Sequence, residues 1–404
     1  MADEERINPE EDPEAALEAL AEGSAPESPA RRRRLARAAL YGFRDARRSA
    51  RIGIGVAAVA LAVAVAVGVV ALTRDGGGQE GGGGSTAAEA GAGGGDGSGG
   101  GRASVVTAGT VAKARAGTLY IRASGLGRQS TGTGVLIDAR RGLVLTNFHV
   151  ISLADDVQAG RPNRLDDARI QAAAPCDDLA LLKVEGVGDR TPIELGEQGE
   201  VKQGDPVVAL GYPVSASGGR SLTSTAGVVS SVRTPLRIRT PEQPRYSNLV
   251  QTDATLAPGN SGGPLVGADG RLVGVNTIIL SGTGGAGGQG YAIGVDRVRE
   301  VLGDLRRGRS RAWFGAGVFT PPKRFLRRER LPAGVLITGV QGGTGAAAAG
   351  LDEVLVTAVD GKPVGRSLAG YCAAMGRHHS GDTVELNVIR TAGGTEQPVR
   401  VKLD

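Results

Sequence analysis

The 404-residue chain predicts an all-β domain of sandwich or barrel type, a smaller α+β domain behind it, and one membrane-spanning helix ahead of it. Three observations carry this. Ile52 to Leu72 is a run of 21 residues without a charge. Ser104 to about Asp304 is filled with short β-branched runs cut by Gly, Asp and Pro. From about Trp313 the pattern changes to mixed strand and small-helix signals.

Composition sets the bounds. The chain holds 67 glycines and only 3% aromatics. Average usage of about 7% Gly would give far fewer, so the excess falls in linkers or loop-rich β structure. With two cysteines the chain is no disulfide scaffold. With three histidines, His149, His378 and His379, a His-rich metal site has too few ligands. No metal or cofactor is expected. Arginine exceeds lysine along the whole length, a coding bias and not a nucleic-acid signature, so nucleic acid is not an expected partner.

Residues 1–28 carry ten acids against one Arg, and residues 31–51 carry nine Arg against one Asp. With few large apolar groups, 1–51 cannot bury enough surface to order itself and reads as a disordered segment. The run 52–72, at about 1.5 Å per residue, spans roughly 32 Å as a helix, enough to cross a bilayer core of about 30 Å. It begins too late and runs too long for a signal peptide, whose apolar region has about 7–15 residues. The arginines before it place the N-terminus in the cytoplasm and everything after Leu72 outside, as a single-pass cell-membrane protein. Residues 73–103 are a Gly-rich linker; its stretch 76–101 holds 15 glycines and spans on the order of 28 Å as a flexible coil.

The β region, 104–310, shows its turns clearly. PLVGADGRLVGV, with Asp269-Gly270 at its centre, is a hairpin signal. Val295 to Leu305 is the exception, with Val295, Val298, Val301, Leu302 and Leu305 at helical spacing. Residues 313–404 read as the α+β domain. It contains the basic stretch Lys323 to Arg330, expected to be a solvated or membrane-facing surface, and His378-His379, expected to be solvated in a turn. Cys176 and Cys372 fall in different domains and are expected as free thiols.

Three residues could carry chemistry. His149 ends an apolar strand in TNFHV, and histidine has the ordinary pKa of a general base, near 6.5. Asp178, in CDDLALLKV, stands where a buried strand begins and could orient an imidazole. Ser261 sits in APGNSGGPL. Its hydroxyl is a poor nucleophile without a base, and the loop's glycines let the N–H groups of Gly259 and Ser261 converge as an oxyanion hole. The order His, Asp, Ser is that of chymotrypsin-type proteases, with the site in a cleft between two barrels.

STGTGVLID, LVLTNFHVI, DDLALLKV, LGYPVS, QTDATLAPGNSGGPL and GVNTI resemble, in order and approximate spacing, the HtrA/DegP family of trypsin-like serine proteases. GVLITGV, AAAAGL, VTAVDGKPV and SGDTVELNVIR resemble a PDZ domain. The resemblance implies a chymotrypsin/trypsin-like double barrel over 104–310 and a PDZ domain over 313–404. It also implies a triad of His149, Asp178 and Ser261, with Gly259 and Ser261 as oxyanion donors. Asp178 is preferred to Asp177 because the family's acid directly precedes the Leu-Ala run. Asn276, Thr277, Ile278 and Ile279 are expected to meet the substrate backbone and line its pocket. Ala333, Gly334, Val335 and Leu336 are expected to form the loop holding a peptide C-terminus. Implied partners are unfolded or damaged extracytoplasmic polypeptides and C-terminal peptides, with a homotrimer as the assembly.

Overall fold

The computed structural model describes residues 105–125, 128–152, 154–188, 190–214, 221–236, 243–280, 289–390 and 394–404. The expected disordered segment, membrane span and linker lie outside them. Among the described residues no helix is long and apolar enough to cross a membrane.

The described residues open with helix α1, Ala108–Ala116, capped by Thr107, whose side chain accepts from the Thr110 N–H. Six strands follow: β1 (Thr118–Gly125), β2 (Arg128–Asp138), β3 (Leu143–Thr146), β4 (Asp156–Arg161), β5 (Arg164–Ala174) and β6 (Leu179–Val184). They close into an antiparallel barrel in the order β1-β2-β3-β6-β5-β4. The four-residue helix α2, Phe148–Ile151, follows β3. A second closed barrel is built from β7 (Pro206–Gly211), β8 (Thr223–Leu236), β9 (Tyr246–Thr252), β10 (Pro264–Gly267), β11 (Leu272–Leu280) and β12 (Gln289–Gly294), in the order β10-β11-β12-β9-β8-β7. The expected hairpin joins β10 to β11. Gly270 takes φ +78°, and the Asp269 carboxylate accepts from the Arg271 N–H, the local reason the chain reverses there.

Both barrels are closed by alternating Val, Leu, Ile and Ala, with Leu145, Leu181, Leu210 and Leu265 fully buried. Helix α3, Val295–Leu305, buries the five apolar residues that its spacing set on one face. Val298, Val301, Leu302 and Leu305 join a core cluster that includes Leu181 of β6 and Leu210 of β7, so α3 helps seal the two barrels together.

The C-terminal domain is a sheet in the order β13 (Gly317–Phe319), β14 (Val335–Thr338), β15 (Val354–Val359), β17 (Thr383–Ile389), β18 (Gln397–Lys402), with the short β16 (Lys362–Pro363) pairing with β15. Three short helices accompany it: α4 (Lys323–Arg328), α5 (Gly345–Ala348) and α6 (Leu368–Met375). Its core gathers Phe314, Ile337, Val356, Tyr371, Met375 and Leu386. The segment entering it alternates. Ala312 and Phe314 join this core, whereas Trp313 between them turns into the first barrel's cluster beside Phe148 and Ile151.

Two expectations are corrected here. Cys176 and Cys372 are not free thiols: they form a disulfide, with Cα atoms 5.5 Å apart. Their separation of 196 residues hid a contact made only when α6 docks on the turn before β6. Of the expected loop Ala333, Gly334, Val335 and Leu336, only Ala333 and Gly334 lie outside a strand: Val335 and Leu336 open β14, which is paired with β13 on one side and β15 on the other. The outer strand on that side of the sheet is β13.

Of the histidine pair, His379 is exposed and His378 is partly buried. His378 Nε2 lies 3.0 Å from Asp360 Oδ2, and the His378 carbonyl accepts from the Ala312 N–H. In the basic stretch, Leu326 of α4 is buried, while Arg327 and Arg328 are exposed.

Leu181 is fully buried in β6, opposite Leu145 of β3. Leu181→Ala should cost about 2–5 kcal/mol by leaving a cavity there, read as a lower denaturant midpoint with unchanged slope.

Candidate active site

Strand pairing brings the first two residues together. β3 and β6 run antiparallel with Thr146 opposite Ala180. His149 lies just past the end of β3 and Asp178 just before the start of β6, so both emerge at one end of the first barrel. The 3-10 turn Pro175–Asp177 sets Asp178 in the left-handed region at φ +53°. That unusual conformation is held by the Asp178 carbonyl, which accepts from the Phe148 N–H (3.2 Å) and from Asn147 Nδ2 (2.9 Å).

The Asp178 side chain is buried, and four donors meet its carboxylate. Oδ1 accepts from the His149 backbone N–H at 3.0 Å. His149 Nδ1 lies 3.0 Å from Oδ1 and 2.9 Å from Oδ2. Oδ2 also accepts from Thr277 Oγ1 at 2.8 Å and from the Tyr246 hydroxyl at 2.9 Å. Burial alone would push this carboxyl up. The charge and hydrogen bonds of His149, with the Thr277 hydroxyl, outweigh it and hold Asp178 below the ordinary carboxylate range. For His149, burial pushes down, but the facing carboxylate wins and raises the ring above 6.5. Burial, then the same carboxylate, pushes the Tyr246 phenol well above its ordinary value, so it stays a donor.

The neighbouring Asp177 is engaged elsewhere. Its carboxylate accepts from Arg297 Nε at 2.8 Å and pairs with the same guanidinium through Nη2. Of the two neighbouring acids, Asp178 thus faces His149 and Asp177 faces Arg297.

Ser261 comes from the second barrel, in the loop ahead of β10. Thr133 of β2, fully buried, fastens this loop to the first barrel. Its N–H donates to the Ser261 carbonyl (2.9 Å) and its Oγ1 to the Gly259 carbonyl (2.7 Å). Thr146 Oγ1 in turn donates to the Thr133 carbonyl. The glycines here are steric requirements. Gly262 sits at φ +83°, and a Cβ on it would stand 2.1 Å from the Thr133 carbonyl oxygen and 2.2 Å from Thr146 Oγ1. Within the loop the amides of Asn260, Gly262 and Gly263 donate to backbone carbonyls. Among the described residues those of Gly259 and Ser261 donate to none, and the Ser261 hydroxyl has no hydrogen-bond partner. The serine and the two expected oxyanion donors are thus uncommitted.

The expected substrate-contact residues divide. Asn276 is buried, and its Nδ2 donates to the carbonyls of Pro264 (3.1 Å) and Leu210 (3.3 Å), tying strands of the second barrel together. Thr277 falls at a register shift between Asn276 and Ile278 in the β11–β12 pairing. This irregularity turns its hydroxyl onto Asp178, a common use of a bulge beside a site. Ile278 and Ile279 continue β11 with β12 on one side, and their side chains lie outside the described residues. Sequence reasoning missed Tyr246 altogether and gave Thr277 a different role. Only the QTDATLAPGNSGG string downstream of Tyr246 hinted that β9 faces the site.

Two six-stranded barrels carry a His149–Asp178 pair on one and the Ser261 loop on the other, and residues 132–275 match the family described as trypsin-like peptidase domain. Among curated proteins the chain is 32% identical over 268 residues to the periplasmic serine endoprotease DegP of Salmonella typhimurium, covering 64% of this chain and 54% of that protein. It is 32% identical over 291 residues to the serine protease PepD of Mycobacterium tuberculosis, covering 67% of this chain and 60% of PepD. The chain thus spans little more than half the length of the curated relatives it matches. Among solved structures, the HtrA-type protease AlgW with a tripeptide aligns at 28% identity and TM-score 0.45, over 73% of this chain and 95% of that one.

With three histidines in the chain, an NMR titration resolves His149 directly. Its midpoint should lie above 6.5. Asp178→Asn removes the charge that raises it, so the midpoint should fall. Tyr246→Phe withdraws one donor from a buried carboxylate and should cost about 1.5–3 kcal/mol of stability at neutral pH.

Proposed function

We propose that this chain is a serine endopeptidase of HtrA type, hydrolysing peptide bonds through Ser261, His149 and Asp178. The observation that carries the reading is the buried Asp178 carboxylate held on His149 Nδ1, at the mouth of a barrel fastened through Thr133 to the Ser261 loop. Such a carboxylate fixes the ring tautomer, leaving Nε2 to accept a proton, and stabilises the imidazolium that forms.

The reaction follows from these roles. Ser261 Oγ attacks the scissile carbonyl carbon while His149 Nε2 takes its proton. The Gly259 and Ser261 amides stabilise the developing oxyanion. The imidazolium returns the proton to the leaving amine, and an acyl-enzyme remains on Ser261. Water, deprotonated by His149, then releases the acid product. The substrate backbone pairs with β11 beyond Asn276, where β12 covers one side and, among the described residues, no strand covers the other.

The natural substrates are unfolded or damaged extracytoplasmic polypeptides. The helix at 52–72 anchors the protein in the cell membrane with its N-terminus cytoplasmic. The C-terminal domain is a PDZ module that takes C-terminal peptides, and the assembly is a homotrimer. In support stand the uncharged run 52–72, the arginines ahead of it, the sheet-plus-helix architecture of 313–404 and the likeness to DegP and PepD.

A fluorophosphonate probe should label the wild-type chain and neither Ser261→Ala nor His149→Ala. Equal labelling of Ser261→Ala would sink the assignment. Casein hydrolysis should rise with pH through a midpoint above 6.5, because the neutral ring is the base and Asp178 keeps it protonated to higher pH. Asp178→Asn should lower kcat on the order of 10⁴-fold, the cost of a mis-set tautomer.

A further inference from the structure

The chain's two cysteines are joined across its two domains, and the join is beside the active site. Cys176 lies in the turn Pro175–Asp177, two residues before Asp178, and Cys372 lies on α6. The C-terminal domain meets the first barrel in two further places, both beside His149. Trp313 packs in the cluster of Phe148 and Ile151, which flank His149 on α2. The outer strand β13 presses Gly317 against Ser152, three residues past His149, so closely that a Cβ would stand 1.7 Å from the Ser152 carbonyl oxygen. A backbone bond from the connecting segment supports the same interface, from the Arg311 N–H to the Ala173 carbonyl of β5 (3.0 Å).

The C-terminal domain therefore touches the barrel at the two segments that carry the acid and the base. One of these contacts is covalent and chemically reversible. Both cysteines are half-buried, so a small reductant reaches the bridge without unfolding either core.

We propose that Cys176–Cys372 is a thiol-exchange site that makes the peptidase redox-responsive: oxidised, the C-terminal domain braces the turn that presents Asp178; reduced by a dithiol, it lets that turn go and hydrolysis falls. The inference rests on the endopeptidase reading above. In the exchange, a thiolate of the dithiol attacks one sulfur, the Cys176–Cys372 bond breaks, and a mixed disulfide forms. The second thiolate of the reductant closes its own disulfide. Two electrons and two protons pass to the protein, leaving two cysteine thiols. Because Arg297, Thr277 and Tyr246 still hold the region, reduction loosens the acid without dismantling it. The weakened carboxylate contact also withdraws the influence that raises His149.

The test compares the full-length chain in detergent, oxidised, reduced with dithiothreitol and reoxidised, with Cys372→Ser beside it. Three readouts are followed at a temperature where circular dichroism shows every sample folded. They are kcat/KM on a fluorogenic peptide across pH, the rate of fluorophosphonate labelling, and hydrogen exchange over residues 175–184. Reduction should lower kcat/KM about tenfold, since a displacement of about 1 Å at a catalytic group costs up to about a hundredfold. It should also move the acid limb down toward 6.5 and speed exchange in 175–184, all reversed on reoxidation. Cys372→Ser should match the reduced chain and ignore dithiothreitol. Unchanged rate, acid limb and exchange would make the bridge a structural staple only and overturn the proposal, as would a rise in rate on reduction. Absence of labelling in every state would remove the endopeptidase reading by itself. The exchange comparison still decides the brace in that case, and unchanged exchange overturns it.

Discussion

A carboxylate taken out of water must be met by donors, and around Asp178 that requirement organises the two-barrel domain. The side chain is buried, and an uncompensated charge there would cost several kcal/mol. Its donors come from both barrels. His149 supplies two from α2 in the first, while Tyr246 on β9 and Thr277 on β11 come from the second. Satisfying one charge thus fixes how the barrels sit together, and the same bonds orient the imidazole. Stability and chemistry depend here on a single group, which is why a left-handed backbone at a non-glycine residue is tolerated.

A second fastening repeats the logic with neutral groups. Thr133 spends its N–H and its hydroxyl on the carbonyls of Ser261 and Gly259, and its own carbonyl accepts from Thr146. The serine loop can come this close only because Gly262 has no Cβ to strike Thr133 and Thr146. The glycines of GNSGG are thus demanded by the approach of the neighbouring strand as well as by the loop's own turns. The C-terminal domain then adds its contacts at Trp313, Gly317 and Cys372, each beside the segments that carry His149 and Asp178, so a sheet with its own core bears on the site without contributing a reacting atom.

Much of this was legible beforehand. The strands showed themselves by short β-branched runs, and α3 by five apolar residues at helical spacing that the structure buries as a set. His149, Asp178 and the Ser261 loop could be read because each sits in a distinctive local string. Tyr246 and the role of Thr277 could not, because a phenol and a hydroxyl become partners of Asp178 only when barrel closure and a strand irregularity aim them. Val335 and Leu336 read as loop and fold as strand for a related reason: nothing local says which residues a distant strand will pair.

The sequence by itself determined the periodicities, the turn chemistry and the local strings that hold His149, Asp178 and Ser261, since these are properties of neighbouring residues. Tertiary structure decided everything that rests on distance along the chain: which hydroxyls meet the buried carboxylate, which strand forms the edge, and that Cys176 finds Cys372 across 196 residues. The physical reason is the same in each case. Local patterns record what a segment can become, whereas burial of charge and closure of a barrel select partners from segments that no local pattern connects.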